Sequence, residues 1–498
     1  MISAQLPVLI VVIPLLVALF VTILGWNNQK IALPLSIAGM AGALWASVKT
    51  LFNVIETGES ISYKLGNWDP PIGIEYVVDH LNGTVLVLIT LVSLLTLVYS
   101  KRGIEREMGD KTVHFYTLYL LFVTGLLGIT ITGDAFNLYV LLEISSLSCY
   151  ALIALGRGRA YMATFNYLIM GTIGACFYLL GVGYLLMKTG TLNMADLHTI
   201  ISTLHDSRAI LAAFIFIMVG IWIKMAFFPL HGWLPNAYTF APITTSCVVA
   251  PLMTKVSVYM MIRMMYGVFS PEYVFGVLHW QPVVMGLSVI AIISGSLFAL
   301  LQKDLKKMLT YLVIAEIGYM MGGAWLGNAM GLTGAVYHIF ADSLMTLCLF
   351  MAVGCIIFKT GHGHLDKLQG VFKKMPLTMA GFLVGAFSMI GIPPTAGFFS
   401  KWYLISGAID AGQWHFMAAL LISSLVNAVL FFRIIEKAYF QNGHSEDGKT
   451  EDQPAIEEAP VSMLGPLLGV STMVIMLGLF TQEIVTKIIV HVVPVEFL

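Results

Sequence analysis

Residues 219–240 read Val-Gly-Ile-Trp-Ile-Lys-Met-Ala-Phe-Phe-Pro-Leu-His-Gly-Trp-Leu-Pro-Asn-Ala-Tyr-Thr-Phe, an apolar helical run with Lys224 in its interior that Pro229 interrupts. A lysine near the middle of a spanning helix opposes membrane insertion by roughly 2.5–3.5 kcal/mol, and the proline withdraws a backbone donor from the same stretch. A passive anchor carries neither. Broken backbone at membrane depth is tolerated where it is packed in protein or lines a wet cavity, so this segment reads as part of an ion path. The other charged positions inside apolar runs, Glu143, Lys255, Glu316, His338, Asp342 and Lys401, read as its partners.

Composition places the whole chain in the same class. Of 498 residues, 58% are hydrophobic and only 11% charged, and the mean hydropathy is +0.88, values that mark a polytopic membrane protein. Apolar runs recur from end to end with short polar joins, leaving no room for a soluble domain of ordinary size. A net charge of −1 offers no basic field for nucleic acid. The five cysteines, Cys149, Cys176, Cys247, Cys348 and Cys355, lie in apolar runs and form no C-x-x-C pair, which disfavours iron–sulfur, haem c and structural zinc sites. No G-x-G-x-x-G or P-loop occurs. The opening MISAQLPVLIVVIPLLVALFVTILGW lacks a basic flank and exceeds a signal core in length, so it reads as a first span that stays.

The pattern predicts an all-α membrane protein of fourteen spans, near 4–25, 31–53, 77–99, 114–132, 135–156, 162–187, 208–239, 243–268, 283–302, 306–326, 331–357, 376–409, 414–437 and 463–485. Spans 7 and 12 are discontinuous, broken at Pro229 and at Pro393-Pro394, each with a lysine nearby. Interrupted helices at corresponding places point to an internal repeat and its binding site. The single membrane domain therefore divides into N-terminal helices (1–113), two five-helix repeats (114–268 and 283–437), the second inverted because five is odd, and a C-terminal helix (463–498). Lysine and arginine collect in alternate joins, at Lys101 and Arg102, Arg157 and Arg159, Lys303 to Lys307, and Lys359 to Lys374. The positive-inside rule makes these joins cytoplasmic and puts both termini outside. The outer join 54–76, with Trp68-Asp69-Pro70-Pro71, suggests an ordered hairpin or lid; the inner join 441–460 reads as an acidic, solvated cytoplasmic loop.

Each buried charge has a functional and a structural reading. Glu143 follows Asp134 by nine residues, which places it about 13 Å deeper along a helix; it is either a path carboxylate or a helix-pairing one through Ser145 or Ser146. Lys224 has the same alternative of a structural ion pair, and Lys255 that of snorkelling. Lys401 follows Gly-Ile-Pro-Pro-Thr-Ala-Gly-Phe-Phe-Ser, beside unwound carbonyls where an ammonium could exchange its proton. His338, Asp342 and Thr346 stand at i, i+4 and i+8 on one helix face, while Glu316 in Ala-Glu-Ile-Gly-Tyr is open to either role. Nothing in the sequence decides whether His231 is cavity wall or relay. His362 and His364, in a basic join, read as loop residues rather than metal ligands, and the many glycines and methionines as helix-packing or lipid-facing residues.

With these residues in view, residues 75–440 resemble the antiporter-like proton-translocating subunits shared by respiratory complex I, membrane-bound hydrogenases and Mrp-type sodium/proton antiporters, and most of all the D-type member of the Mrp set. The motifs are Asp-Ala-Phe-Asn-Leu-Tyr-Val-Leu-Leu-Glu at 134–143, Gly-Thr-Leu-Asn-Met-Ala-Asp-Leu at 190–197, Lys-Met-Ala-Phe-Phe-Pro-Leu-His-Gly-Trp-Leu-Pro-Asn-Ala-Tyr at 224–238, Met-Thr-Lys-Val at 253–256, Lys-Asp-Leu-Lys-Lys at 303–307 and Gly-Ile-Pro-Pro-Thr-Ala-Gly-Phe-Phe-Ser-Lys at 391–401. The resemblance implies fourteen helices with inverted repeats and a proton path through Glu143, Lys224, Lys255, His338 and Lys401, with Asp134, His231, Glu316 and Asp342 as further path or cation-site candidates. It implies homologous membrane subunits as partners in a hetero-oligomeric complex, location in the cell membrane, and no cofactor, metal or catalytic residue in this chain. Two readings of the driver stay open, sodium/proton exchange and a redox reaction on other subunits. The chain departs from many relatives at Asp342 and Thr346, where they carry His and Lys, and at Glu316, where a small polar residue is commoner; these carboxylates are hard oxygen ligands that keep sodium in play.

The basic joins generate a topology test: a reporter fused after Leu498 is expected to be active only when it folds outside the cytoplasm, and cytoplasmic activity would reverse the assigned orientation.

Overall fold

The computed structural model describes residues 2–439, 458–494 and 497. The acidic join 441–460 lies outside the described residues except for its last three positions.

The chain folds into helices joined by short turns: α1 (Ile2–Asn27), α2 (Ala32–Thr57), α3 (His80–Glu107), α4 (Thr112–Ile131), α5 (Ala135–Ala154), α6 (Ala160–Thr189), α7 (Met194–Ile201), α8 (Arg208–Met225), α9 (Leu234–Phe240), α10 (Ile243–Ile262), α11 (Gln281–Leu300), α12 (Leu305–Trp325), α13 (Ala329–Thr360), α14 (Val371–Lys374), α15 (Pro376–Ile390), α16 (Ala396–Asp410), α17 (Trp414–Tyr439), α18 (Val461–Leu479) and α19 (Thr481–Lys487). Twelve helices among the described residues are long and apolar enough to cross a bilayer. The two other anticipated spans are α12, whose apolar run carries Lys306, Lys307 and Glu316, and the broken pair α15–α16, each half of 15 residues. The join after α2 is an antiparallel hairpin of β1 (Ile61–Lys64) and β2 (Glu75–Val78), in register Ile61 with Val78 and Lys64 with Glu75. Lys64 and Asp69 pair across its tip, and Asn193 at the start of α7 donates to Glu75 Oε1 at 2.6 Å. A short helix at 194–201 and a π-helical turn at Glu272–Val277 have no counterpart in the expected spans, and the last six residues of the expected span 243–268, Arg263–Val268, are π-helical.

Burial sorts the helices into layers. The most apolar stretches of α10 and α13 are buried throughout, whereas α1, α2, α6 and α17 leave most of theirs partly buried or exposed. The exposed side chains there are apolar, Phe20, Ile23, Trp45, Phe165 and Leu425 among them, as a lipid-facing surface requires. With no hydrophobic drive between helices in lipid, close approach depends on small residues. Gly220 of α8 faces Gly174 and Tyr178 of α6: a Cβ there would sit 2.6 Å from the Gly174 carbonyl oxygen and 2.7 Å from the Tyr178 amide nitrogen.

Both discontinuities fall where prolines stand. α8 ends at Met225 with Ala226 in the left-handed region, and the carbonyl of Ile223 released by the break accepts from the Trp233 indole at 3.0 Å. α15 ends at Gly391, φ +92°, and the released carbonyls of Met389 and Ile390 accept from the Lys401 ammonium at 2.7 and 3.3 Å. The two breaks are thus closed differently, one by an indole and one by the charged group itself.

Gly220→Val is expected to cost about 1–3 kcal/mol by forcing α6 and α8 apart, seen as a lowered unfolding temperature of the purified protein in detergent. Gly183→Ala on the exposed face of α6, where a Cβ meets nothing within 4 Å, should not lower that temperature.

Candidate functional site

Four groups of buried polar side chains stand in the core, beginning at the broken α8. Lys224 Nζ, in the last turn of α8, donates to Ser146 Oγ at 2.8 Å and lies 3.7 Å from Glu143 Oε1 across the α5–α8 contact. The lysine is 2% exposed and the carboxylate 26%. Glu143 shares one stripe of α5 with the exposed Phe136, Val140 and Leu147, at helical spacings of three and four. Asp134 caps the same helix, accepting from the Asn137 amide at 2.6 Å.

The second group is a dry ion pair. Lys255 Nζ lies 2.7 Å from Asp342 Oδ2, with both side chains at 0–1% exposure; the ammonium also donates to the Ala250 carbonyl at 3.2 Å, and Thr346 Oγ donates to Asp342 Oδ1 at 2.6 Å. Lys255 therefore does not snorkel, because a carboxylate on α13 meets it at depth. Asp342 and Thr346 are joined as their spacing on one helix face anticipates.

One turn back on α13, His338 Nε2 lies 2.6 Å from Glu316 Oε2, and His338 Nδ1 lies 2.8 Å from Ser400 Oγ, all three side chains fully buried. Ser400 Oγ also lies 3.0 Å from the Gly397 carbonyl. A hydroxyl has one proton to give. When His338 is neutral and donates to Glu316, Ser400 must donate to Nδ1; when His338 is charged it donates at both nitrogens, and Ser400 turns to Gly397. The hydroxyl rotor thus accommodates either state without moving a helix.

The fourth group surrounds Lys401. Its ammonium donates to Met389 O, Ile390 O and Ser424 Oγ, the last at 3.0 Å, which uses all three of its protons. The Tyr319 ring connects this group to the third, standing 5.4 Å from the His338 ring and 5.2 Å from Lys401 Nζ, while the Tyr319 hydroxyl donates to Ser423 at 2.6 Å. The last three groups therefore form one run: Lys255–Asp342, one turn of α13 to His338–Glu316, then Ser400 and Tyr319 to Lys401. Between Lys224 and Lys255 stand less polar neighbours, Tyr167 stacked on Trp233 at 4.0 Å with its hydroxyl 2.8 Å from Met253 Sδ. Among the described residues, no hydrogen bond or ion pair joins Lys224, Ser146 or Glu143 directly to Lys255 or Asp342. His231 stacks on Phe228 in the α8–α9 break, at 5.2 Å, and no hydrogen bond or ion pair among the described residues ties it to these groups.

Five positions carry more than the sequence reading gives them. Ser400 and Tyr319 are visible only as neighbours of Lys401 and, three residues on, Glu316. Lys306, counted among the inner basic charges, is 7% exposed and donates to the Ala241 carbonyl at 2.6 Å, securing the turn between α9 and α10 to α12. Tyr259 and Arg263 follow Lys255 at i+4 and i+8, a spacing that could have drawn attention to them.

A multi-pass helical membrane protein with a buried run of alternating acid and base is the class these features define. Residues 132–427 match the family described as NADH:quinone oxidoreductase/Mrp antiporter, TM. The chain is 42% identical over 505 residues to a protein of Desulforudis audaxviator named NADH-quinone oxidoreductase subunit N, covering 99% of both, and 30% identical over 472 residues to a Staphylococcus haemolyticus protein named putative antiporter subunit mnhD2, covering 94% of this chain and 92% of that one. Its fold is shared with a chain of the Mrp complex from a Dietzia species (TM-score 0.89, 24% identity, 99% of this chain and 97% of that one) and with a chain of the membrane-bound sulfane sulfur reductase, an archaeal respiratory membrane complex (TM-score 0.89, 27% identity, 99% and 98%). The chain belongs to the family of antiporter-like membrane subunits of the Mrp and complex I type.

Removing one member of a dry ion pair leaves the other charged and unpaired, a loss of about 3–5 kcal/mol, whereas replacing both by apolar residues is often near neutral. Lys255→Met and Asp342→Leu are each expected to lower the unfolding temperature sharply and their combination to recover most of the loss. Additive losses in this cycle would show the two charges to be energetically independent.

Proposed function

We propose that this chain moves protons across the membrane as one subunit of a multi-subunit cation/proton antiporter, through Glu143, Lys224, Lys255, His338 and Lys401. The observation that carries the reading is the run from Lys255 to Lys401, in which every titratable side chain touches a group that can stabilise its charged form or take its proton. The set holds three lysines and three carboxylates, Lys224 beside Glu143, Lys255 beside Asp342, and Glu316 beside His338 with Lys401 further along the run, so an added proton disturbs a balanced set and is passed on rather than held. Separating Glu143 from Lys224 destabilises the ammonium, and one unit of pKa is about 1.4 kcal/mol, so a pair worth two or three units serves as a gate. The apolar gap between Lys224 and Lys255 must hydrate for the proton to cross, which makes the pair at its near side the control point. A proton-motive force of roughly 150 mV supplies about 3.5 kcal/mol per charge.

Two inverted five-helix repeats, 114–268 and 283–437, are part of this proposal; the breaks at Pro229 and Pro393-Pro394 support them, although Lys224 precedes its break and Lys401 follows its own. The proton is favoured over sodium for the central groups because Asp342 Oδ2 and Glu316 Oε2 are already engaged by Lys255 and His338. A second reading, a proton-pumping subunit of a complex I-like redox complex, is favoured by the 42% relative named as an NADH-quinone oxidoreductase subunit. Both readings put homologous membrane subunits beside this chain, and the two chains that share its fold are themselves parts of membrane complexes. Purifying the native complex and identifying its subunits separates the readings: iron–sulfur or quinone-reducing subunits would overturn the antiporter.

The gate is tested at Glu143. Glu143→Asp keeps an ionisable group one methylene shorter, while Glu143→Gln keeps size and hydrogen bonding but cannot be charged. Glu143→Asp is expected to retain partial proton flux in everted vesicles and Glu143→Gln almost none, at equal protein levels. A Gln variant as active as the parent would remove Glu143 from the path.

A further inference from the structure

Beyond the run that ends at Lys401, a second polar stripe leaves Lys255 along α10 toward the hairpin end of the molecule. Tyr259 and Arg263 stand one and two turns from Lys255 on the same helix face. The Tyr259 hydroxyl donates to Thr130 O at 2.8 Å and accepts from Arg263 Nε at 3.1 Å, and Arg263 Nη2 lies 2.7 Å from Asp79 Oδ2. Beyond this pair opens a cavity of about 420 Å³, lined by Asp79, His80, His198, Arg263, His491 and Val492 among others. A neighbouring cavity of about 150 Å³ shares Arg263 and Gly267 with it. A polar space of this size holds several waters. At its mouth His80, 9% exposed at the first turn of α3, stacks on the exposed His491 of the C-terminal turn Ile489–Val492, ring centroids 4.5 Å apart and planes 26° from parallel.

We propose that this cavity is a water-filled port through which Lys255 exchanges protons with the medium on the side opposite the basic joins, the stacked pair His80–His491 carrying the proton at its mouth. Imidazole is the side chain that ordinarily gains and loses a proton near neutral pH. Two imidazolium charges at stacking distance repel, so the pair holds one proton in preference to two, and because stacked rings turn their nitrogens edgewise, the proton passes from the buried ring to the exposed one through cavity water. The groups facing the pair are Asp79, Arg263 and His198. Arg263 keeps its proton throughout, and Asp79 balances its charge, so the arginine does not turn cations away. In the outward step the Lys255 ammonium gives a proton to water beside Tyr259 and becomes the neutral amine; water delivers the proton to a ring nitrogen of His80, and His491 releases it to the medium. His338, one turn from Asp342, supplies the charge that replaces it. The distance from Lys255 to Arg263 is about 12 Å along the helix, a span that water and the Tyr259 hydroxyl bridge.

The inference rests on Lys255 being a member of the proton path, and the test keeps the two apart. In vesicles carrying the assembled complex with Val492→Cys, a membrane-impermeant trimethylammonium thiol reagent is added on the side opposite the basic joins, and proton flux is compared before and after in the same vesicles. Folding is not at issue because the charge is added after assembly. Flux is expected to fall more than fivefold, against less than twofold in the parent, whose described cysteines are buried apart from Cys176 on α6. His80→Gln combined with His491→Gln should reproduce the loss without reagent. Complete modification with unchanged flux, or no modification from that side, would overturn the port. Undiminished flux in Lys224→Ala vesicles would instead overturn the main path, whatever the reagent does.

Discussion

Everything in the core is arranged around the contact of Lys255 with Asp342, a basic and an acidic side chain 2.7 Å apart, neither more than 1% exposed. Neither charge is tolerable there alone. The pair fixes α10 against α13, the two helices whose apolar stretches are buried throughout, and these in turn present His338 to Glu316 and Ser400. Charge compensation at depth therefore sets the helix packing as much as packing sets the charges. The same rule accounts for Lys224 beside Glu143 and Ser146, and for Lys306 on the Ala241 carbonyl: every buried lysine has an acceptor within hydrogen-bond distance.

Much of this is legible in the sequence because membrane segments advertise themselves. A charge in an apolar run, a proline inside a helix and a four-residue spacing along one face are strong signals against a hydrophobic background, and they mark Lys224, Lys401 and the stripe His338–Asp342–Thr346. What a linear reading lacks is the partner. Lys255 and Asp342 are far apart along the chain, and nothing local says that one meets the other rather than snorkelling. Ser400 and Tyr319 are invisible for a related reason: serine and tyrosine are ordinary in membrane helices until a histidine or an ammonium is placed against them. Lys306 reads with its neighbours as a cytoplasmic charge, and only the turn at Ala241, brought in from another part of the chain, buries it.

The family resemblance and the geometry inform different levels. Similarity to proteins named as an oxidoreductase subunit and as an antiporter subunit fixes the architecture and the family. The geometry speaks to what moves inside the chain. Glu316 and Asp342 each have an imidazole or ammonium partner, an acid–base pairing that leaves fewer free oxygens for a metal cation.

The attachment of Lys401 has one further consequence. Its three protons meet three acceptors, two backbone carbonyls at the end of α15 and the Ser424 hydroxyl. An amine that has lost a proton keeps two donors and gains a lone pair. The carbonyls, which can only accept, keep the two donors, and Ser424 alone can reverse its role by turning its O–H toward the nitrogen. If this lysine carries protons as proposed, its discharge is absorbed by one rotating hydroxyl while the helix terminus stays anchored, which confines the reorganisation to a bond rotation on the picosecond-to-nanosecond scale of side-chain motion.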